Sequence, residues 1–358
     1  MAGRSASSAP RGPGAAGNGL RLLVAGGCGF IGSNFIRYVV GAHADWTVVN
    51  VDKLTYAGNL ANLADLEGQA RYRFHRADIC DAAAIGKIVA GETPDAIVNF
   101  AAETHVDRSI DDPGLFLRTN ILGTQVLLDA ARKSGVARYL QISTDEVYGS
   151  LGATGRFTEE SPLRPNSPYA ASKTSADLLA RAYFRTYGLP VLVTRCSNNY
   201  GPYQFPEKII PFFVTLLHEG KQVPVYGDGL NVRDWIHVDD HSRAVEAVLL
   251  KGRPGEIYNV GGGNERTNIE ITKLLLAAMG KPESAMKFVP DRPGHDRRYA
   301  IDDAKIRAEL GVAPQVPFEE GLRSTVRWYL ENEPWWRAVR SGEYLTFYDR
   351  WYRDKGRA

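Results

Sequence analysis

Thr144, Asp145 and Glu146 are consecutive in the chain, and Tyr169-Ala170-Ala171-Ser172-Lys173 follows some distance on. A Tyr and a Lys four residues apart share one face of a helix. A cation beside a phenol lowers the phenol's pKa, so the phenolate can act as a base near neutral pH. That pair suits hydride chemistry. Two adjacent carboxyls add a second acid and a second base, which oxidation alone does not need. Together these residues suit a succession of oxidation, elimination and reduction.

Elements that would position them are legible in the apolar pattern. β-branched runs recur at 22–25, 47–51, 72–75, 96–100, 139–142 and 191–194, with helical stretches between them. Such alternation predicts an α/β fold, a doubly wound parallel (Rossmann) sheet covered on both faces. Ligands then sit at the carboxyl ends of the strands. After about residue 196 the alternation gives way to Pro- and Gly-rich clusters such as NNYGPYQFPEK, VYGDG and DRPGHD. These read as loops of a smaller, interleaved substrate-binding domain. One strand, 256–260, is expected to return to the main sheet. The expected division is a disordered tail over 1–19 and a dinucleotide domain over 20–196 with a returning segment near 234–262. A mainly substrate-binding part over 197–335 and a helical segment over 336–358 follow. Two helices stand out. The one over 112–132 is apolar on more than one face, which fits deep burial or a partner. The other spans 168–187 and carries the Tyr-Lys pair.

The first strand runs into Gly26-Gly27-Cys28-Gly29-Phe30-Ile31-Gly32. Glycines at 26, 29 and 32 allow a tight turn, close approach to a pyrophosphate, and packing of the following helix. The helix N-terminus offers free N–H groups and a positive dipole end to the phosphates. Asp52 closes the next strand, as a dinucleotide site requires. Its carboxylate can accept from ribose hydroxyls and repels a 2′-phosphate, which favours NAD over NADP, with Lys53 beside it pulling slightly the other way. Asp78 and Ile79 end the third strand, where an adenine edge could be met. Asp78 reads equally well as a cap for the helix near Asp81.

Composition excludes other classes. The chain has 358 residues, a formal net charge of +2 and 23% charged residues, which is no polyanion-binding signature. Cys28, Cys80 and Cys196 form no CxxC pair and argue against a disulfide framework or a structural zinc site. No apolar run approaches a membrane span, and residues 1–19 lack the apolar core of a secretory signal. The expectation is a cytoplasmic enzyme with no nucleic-acid, membrane or metal partner.

The glycine turn and the YxxxK pair resemble the extended short-chain dehydrogenase/reductases. Within that family, FAAETHVDRS (100–109), STDEVYG (143–149), YAASK (169–173), NNYGPYQFPEKIIP (198–211), VYGDGLNVRDWIHVDD (225–240) and DRPGHDRRYA (291–300) are similar to the dTDP-glucose 4,6-dehydratases. The resemblance covers roughly 20–335. It implies a redox-neutral lyase acting on a nucleotide sugar with bound NAD, and a homodimer formed by the 112 and 168 helices. It implies that Tyr169 takes the proton of the sugar's 4-hydroxyl, with Lys173 and Thr144 assisting. Glu146 is then the base for carbon 5, and Asp145 the acid for the departing 6-hydroxyl. Matched segments put Phe30, Ile31, Asp52, Lys53, Leu54, Thr55, Asp78 and Ile79 on the cofactor. Phe100, Ala101, Ala102, Thr104, Thr119 and Asn199 join them. The same matching puts Thr104, Thr144, Asn198, Lys208, Ile209, Pro224 and Tyr226 on the substrate, with Arg233, Asn268, Asp291, Arg292 and His295 as a clamp on diphosphate and base. Guanidinium forks fit phosphate oxygens, which suits Arg233 and Arg292. His105, Cys28 and Cys196 read as structural. The aromatic end, 328–352, reads as core or interface. A 4-epimerase would share the cofactor turn and YxxxK but has no water to expel. A UDP-glucose dehydratase would run the same chemistry, and a non-catalytic NAD sensor would not need the acid, base and Tyr together.

Overall fold

The structure is a computed structural model that describes residues 19–291 and 295–341. Arg292, nearly all of the expected N-terminal tail and most of the last helical segment lie outside the described residues. Among the described residues twelve strands are formed: β1 (Arg21–Ala25), β2 (Thr47–Asp52), β3 (Tyr72–Arg76), β4 (Ala96–Asn99), β5 (Arg138–Thr144), β6 (Val191–Cys196), β7 (Asn198–Tyr200), β8 (Val223–Tyr226), β9 (Val232–His237), β10 (Ile257–Val260), β11 (Glu265–Thr267) and β12 (Met286–Val289). Seven of them make one parallel sheet in the order β10-β6-β5-β4-β1-β2-β3. This is the doubly wound sheet expected from the apolar runs.

Alternation along each strand divides the core in two. Leu22, Val98 and Leu140 enter one layer with Phe35, Ile36 and Val248. Their neighbours Leu23, Ile97 and Tyr139 enter the other with Leu127, Val191 and Val193. Successive side chains of a strand point to opposite faces, so a strand covered on both sides must be apolar throughout. The order reverses between β1 and β4, and the crevice at their carboxyl ends is where such sheets hold ligands.

The helix Pro168–Tyr187 begins and ends where the sequence predicts. The Ser167 hydroxyl accepts from Ala170 N at 3.1 Å, Pro168 fills the first turn, and Gly188 ends the helix in a left-handed conformation. The helix expected over 112–132 differs. It starts as Pro113–Phe116, widens into a π-helix over Leu117–Gly123, and resumes as Thr124–Ser134. The apolar pattern could not show this, because a π turn adds one residue without changing side-chain character. Thr119 and Asn120 lie in the widened turn and are buried.

The chain leaves the main sheet at Cys196 and enters β7 two residues later. β7 pairs with β9, and β9 with β11; β8 pairs with β12. Phe212, Phe213, Trp235, Ile271, Leu275 and Phe318 form a separate apolar core beneath these strands. β10 lies beside β6, so the chain returns to the main sheet after β9. Trp335 in the helix Glu333–Arg340 donates to Asn62 Oδ1 at 2.9 Å and packs on Tyr203 and Trp328. Among the described residues, no helix is long and apolar enough to cross a membrane, and no cluster of His, Cys, Asp or Glu could hold a metal ion.

A Cβ at Gly32 would lie 2.4 Å from the Gly26 carbonyl oxygen and 2.9 Å from Gly27 Cα. Both are backbone atoms, so the helix must shift to accept it. Gly32→Ala should cost about 1–3 kcal/mol of stability. A lowered denaturant midpoint is the expected reading, and an unchanged one would show that the helix has slack.

Candidate active site

The glycine turn opens the crevice. Gly26 has φ +79°, and a Cβ there would lie 2.5 Å from Ala101 N. Gly29 has no such internal reason, since its Cβ would meet only the Gly26 carbonyl, at 3.4 Å. The room it leaves is the cavity it lines. The helix Phe30–Ala42 starts there with no side-chain cap and no acidic residue in its first turn. Asp52 accepts from Cys28 N at 3.0 Å and Leu54 N at 2.8 Å, and Leu54 takes φ +60° to make that bond. Burial pushes the Asp52 carboxyl up, and these backbone donors oppose the shift. The Thr119 hydroxyl faces the same cavity, buried and with no hydrogen-bond partner. Asn120 brackets the Glu103 peptide, accepting from its N–H at 2.8 Å and donating to its carbonyl at 3.0 Å. That clasp holds the segment 100–104 along the crevice.

β5 ends at Thr144 and passes straight into a 3-10 turn, Asp145–Tyr148. The Thr144 hydroxyl accepts from Glu146 N and donates to Asp145 Oδ1, both at 3.2 Å. Asp145 is 1% exposed, and its Oδ2 has no hydrogen-bond partner. Burial pushes its carboxyl well above the usual range, and the charges of Glu146 and Asp234 add to the shift. Arg233 and the Thr144 hydroxyl oppose it. Burial also pushes the Tyr169 phenol well up, followed by the charge of Glu146. Lys173 is not among the leading influences on Tyr169. Its Nζ donates to the Ile142 carbonyl at 2.7 Å, and burial lowers its own pKa against the pull of Asp177 and Cys196. The pairing read from YxxxK is therefore geometric, with both side chains on one buried helix face, and the protein alone does not lower the phenol.

Two cavities meet at this turn. The first runs from the glycine turn past Asp52, Phe100 and Thr119 to Tyr169 and Lys173. The second is lined by Asn198, Lys208, Pro224, Tyr226, Arg233 and His295, among others. Glu146, Asn198, Asn199, Gln204, Glu207 and Lys208 line both. Gly26, Gly29, Phe30, Ile31, Gly32, Lys53, Thr55, Ile79, Ala101, Ala102 and Thr104 line the first, as do Thr144 and Asp145. Ile209 and Asn268 line the second. Leu54, Asp78 and Asp291 line neither. Leu54 contributes through its backbone. Asp78 accepts from Cys80 N at 2.9 Å and lies 3.7 Å from Lys53 Nζ, while Asp81 caps the following helix. Asp291 Oδ1 lies 2.6 Å from His295 Nδ1.

Several lining residues carry no prior assignment. Glu207 reaches both cavities, and burial pushes its carboxyl up to about 7. Tyr56 donates to it at 3.2 Å, and His105 Nε2 lies 3.7 Å away. His105 also caps the helix Val106–Asp111 through Nδ1. Tyr299 stacks under Arg233, whose Cζ is 4.3 Å from its ring centre. Glu207 and Tyr299 lie inside the quoted PEKIIP and DRRYA segments. Nothing in their residue types separates them from solvated loop side chains.

A strand, a glycine turn and an uncapped helix beside a buried Tyr-x-x-x-Lys pair define a dinucleotide-dependent short-chain dehydrogenase/reductase, here with two carboxyls added. The family model for GDP-mannose 4,6 dehydratase matches residues 23–325. A dTDP-glucose 4,6-dehydratase of Streptomyces griseus is 56% identical over 320 residues, covering 89% of this chain and 96% of its own. One from Streptomyces niveus is 53% identical over 331 residues, covering 91% and 98%. The crystal structure of the Streptomyces venezuelae dTDP-glucose 4,6-dehydratase, solved with NAD bound, superposes with a TM-score of 0.87 at 56% identity, covering 89% of this chain and all of that one. A Thermotoga maritima UDP-glucose 4-epimerase superposes at 0.82 with 31% identity, covering 88% of this chain and 100% of its own. The chain belongs to the dTDP-glucose 4,6-dehydratase family.

Asp145 binds its proton more tightly folded than unfolded, where its pKa is about 3.8. Ionising it costs stability, and the cost appears above that pH and grows until the raised folded value is reached. Asp145→Asn removes the cost. The variant should melt higher than the parent by a margin that is larger at pH 8 than at pH 4. A margin that does not change with pH would show that Asp145 ionises freely in the fold.

Proposed function

We propose that this protein converts dTDP-glucose to dTDP-4-keto-6-deoxyglucose and water, using bound NAD. The observation that carries the reading is the Asp145–Glu146 pair at the junction of the two cavities, one turn member buried and driven toward its acid form. Environments that separate two neighbouring carboxyls assign one as acid and the other as base. An epimerase of the same scaffold has no use for such a pair.

The first cavity fits a dinucleotide. Gly29 leaves space with no internal purpose, the helix start is uncapped, and the Thr119 hydroxyl is buried without a partner. When bound, NAD supplies a two-electron acceptor that later returns those electrons, and a positive charge in its oxidised form. The phosphates suit the N–H groups at the start of the helix Phe30–Ala42, and Asp52 suits the ribose hydroxyls. Lys173, held by the Ile142 carbonyl, carries its charge at the same cavity. Lys208, Arg233 and His295 surround the second cavity and suit the diphosphate and base.

In this reading Tyr169 accepts the proton of the 4-hydroxyl as carbon 4 is oxidised. That needs its phenolate, so the positive charge of bound oxidised NAD would have to offset the burial that raises the phenol. The ketone acidifies carbon 5, and Glu146 removes that proton. Asp145 protonates the oxygen on carbon 6, which leaves as water. The two electrons return at carbon 6, Glu146 returns its proton to carbon 5, and the proton taken by Tyr169 passes on to restore Asp145. Atoms and charge then balance with no external reductant. General acid–base groups of this kind contribute about 10²–10⁴-fold each.

Incubation with dTDP-glucose, without added reductant, should give loss of one water by mass spectrometry and no net NADH. UDP-glucose alongside should react more slowly. Glu146→Gln should lower dehydration about 10²–10⁴-fold yet still oxidise some sugar. Full dehydration by that variant would remove Glu146 from the role, and conversion to the galacto isomer would mark an epimerase.

We also infer a homodimer. Ile110, Leu115, Leu117 and Leu122 are exposed along the 106–123 helices, and Leu178 and Tyr187 on the helix packed beside them. Exposed apolar side chains on neighbouring helices suit an interface, and a second copy with the same two helices would cover them symmetrically. Light scattering at micromolar concentration should give twice the chain mass; a monomer mass refutes the dimer. The three free cysteines suit the reducing cytoplasm.

A further inference from the structure

His241 lies in the helix Val238–Lys251, fully buried, with Nδ1 2.8 Å from Asn199 Oδ1. The Asn199 amide nitrogen donates to the Ser197 carbonyl at 3.0 Å and to Cys196 Sγ at 3.4 Å. Both of its N–H bonds are thereby used, so its oxygen is the end that meets His241, and the imidazole proton sits on Nδ1. The Cys196 thiol in turn donates to the Ser143 carbonyl at 3.3 Å. Burial pushes that thiol up to about 12, so it carries its proton. The chain His241, Asn199, Cys196, Ser143 therefore has a single polarity. It ends on the residue before Thr144, and its second member lines both cavities.

His241 Nε2 is buried and has no hydrogen-bond partner. A buried polar atom left in that state works against the fold. A leucine would fill the position without it, so the other nitrogen must return something. What it returns is the orientation of one amide. Without a donor at Nδ1, the Asn199 oxygen loses its partner, and the amide is held only through its nitrogen, by the Ser197 carbonyl and Cys196 Sγ. Burial also holds the imidazole down to about 4, so the donor is present in the same form throughout the neutral range.

We propose that His241 is a positioning residue that locks the Asn199 amide in the orientation required at the junction of the dinucleotide and sugar cavities. The inference rests on the proposed NAD-dependent reading of that junction. It assigns Asn199 its rotamer from behind, by a residue that touches neither ligand.

His241→Asn keeps a donor near the Nδ1 position, and His241→Leu removes it at similar volume. NAD retained by the purified holoenzyme would be followed by exchange against labelled NAD, with thermal melting recorded in parallel. His241→Leu should exchange about 5- to 100-fold faster, and His241→Asn should restore most of the parent rate. Equal exchange in the parent and the Leu variant, or equal loss in both variants, overturns the proposal. Nitrogen-15 NMR of histidine-labelled parent protein tests it without any variant. His241 should show the Nδ1–H tautomer with no titration between pH 6 and 8, and the other tautomer or an imidazolium at pH 7 overturns it. A parent protein that holds no NAD would instead refute the NAD reading, leaving the tautomer test standing on its own.

Discussion

Asp145 is 1% exposed, and that burial, which drives its carboxyl toward the acid form, has to be built. Asp145 opens the turn that follows the central strand β5. β9 adds Asp234 and Arg233, which act on it with opposite signs. Asp234 is in turn buried and held by the backbone N–H groups of Gly262 and Asn264, at 2.9 and 2.6 Å. The second half of the molecule is therefore part of the environment of Asp145. Separated from it, Asp145 would meet water and ionise like any surface carboxyl.

The turn that carries Asp145 is anchored from below as well. Arg195 on β6 donates from Nε to Asp177 at 2.9 Å and from one terminal nitrogen to the Tyr148 hydroxyl at 2.9 Å. Tyr148 passes the chain on to Asn259 on β10 at 2.7 Å. All four side chains are buried. Burying such an ion pair brings little net stability, since desolvation offsets the attraction. What it does here is geometric. It ties the end of the Asp145–Tyr148 turn to two strands and to the helix that bears Tyr169 and Lys173.

The epimerase and dehydratase neighbours share this scaffold at similar TM-scores. In this chain that scaffold is the glycine turn, the parallel sheet and the helix with Tyr169 and Lys173. Chemistry beyond hydride exchange then depends on what stands at the end of β5. That is how function is grafted on a common frame.

The sheet, the dinucleotide turn and the Pro168 helix were legible because each is local. Apolar period, Ser-Pro at a helix start and spaced glycines act over a few residues. The candidate reacting groups could be picked out for the same reason, through Thr144-Asp145-Glu146 and the Tyr169–Lys173 spacing. What the linear pattern could not decide was environment. The rise in the Asp145 pKa comes first from burial and then from Glu146 and the distant Asp234, and Glu207 is buried among Tyr56, His105 and Arg108 from elements far apart in the chain. The His241–Asn199 bond likewise joins segments far apart in the chain. Residue type sets which protons and bonds are available. Burial and distance in the folded chain decide which of them are held, raised or released.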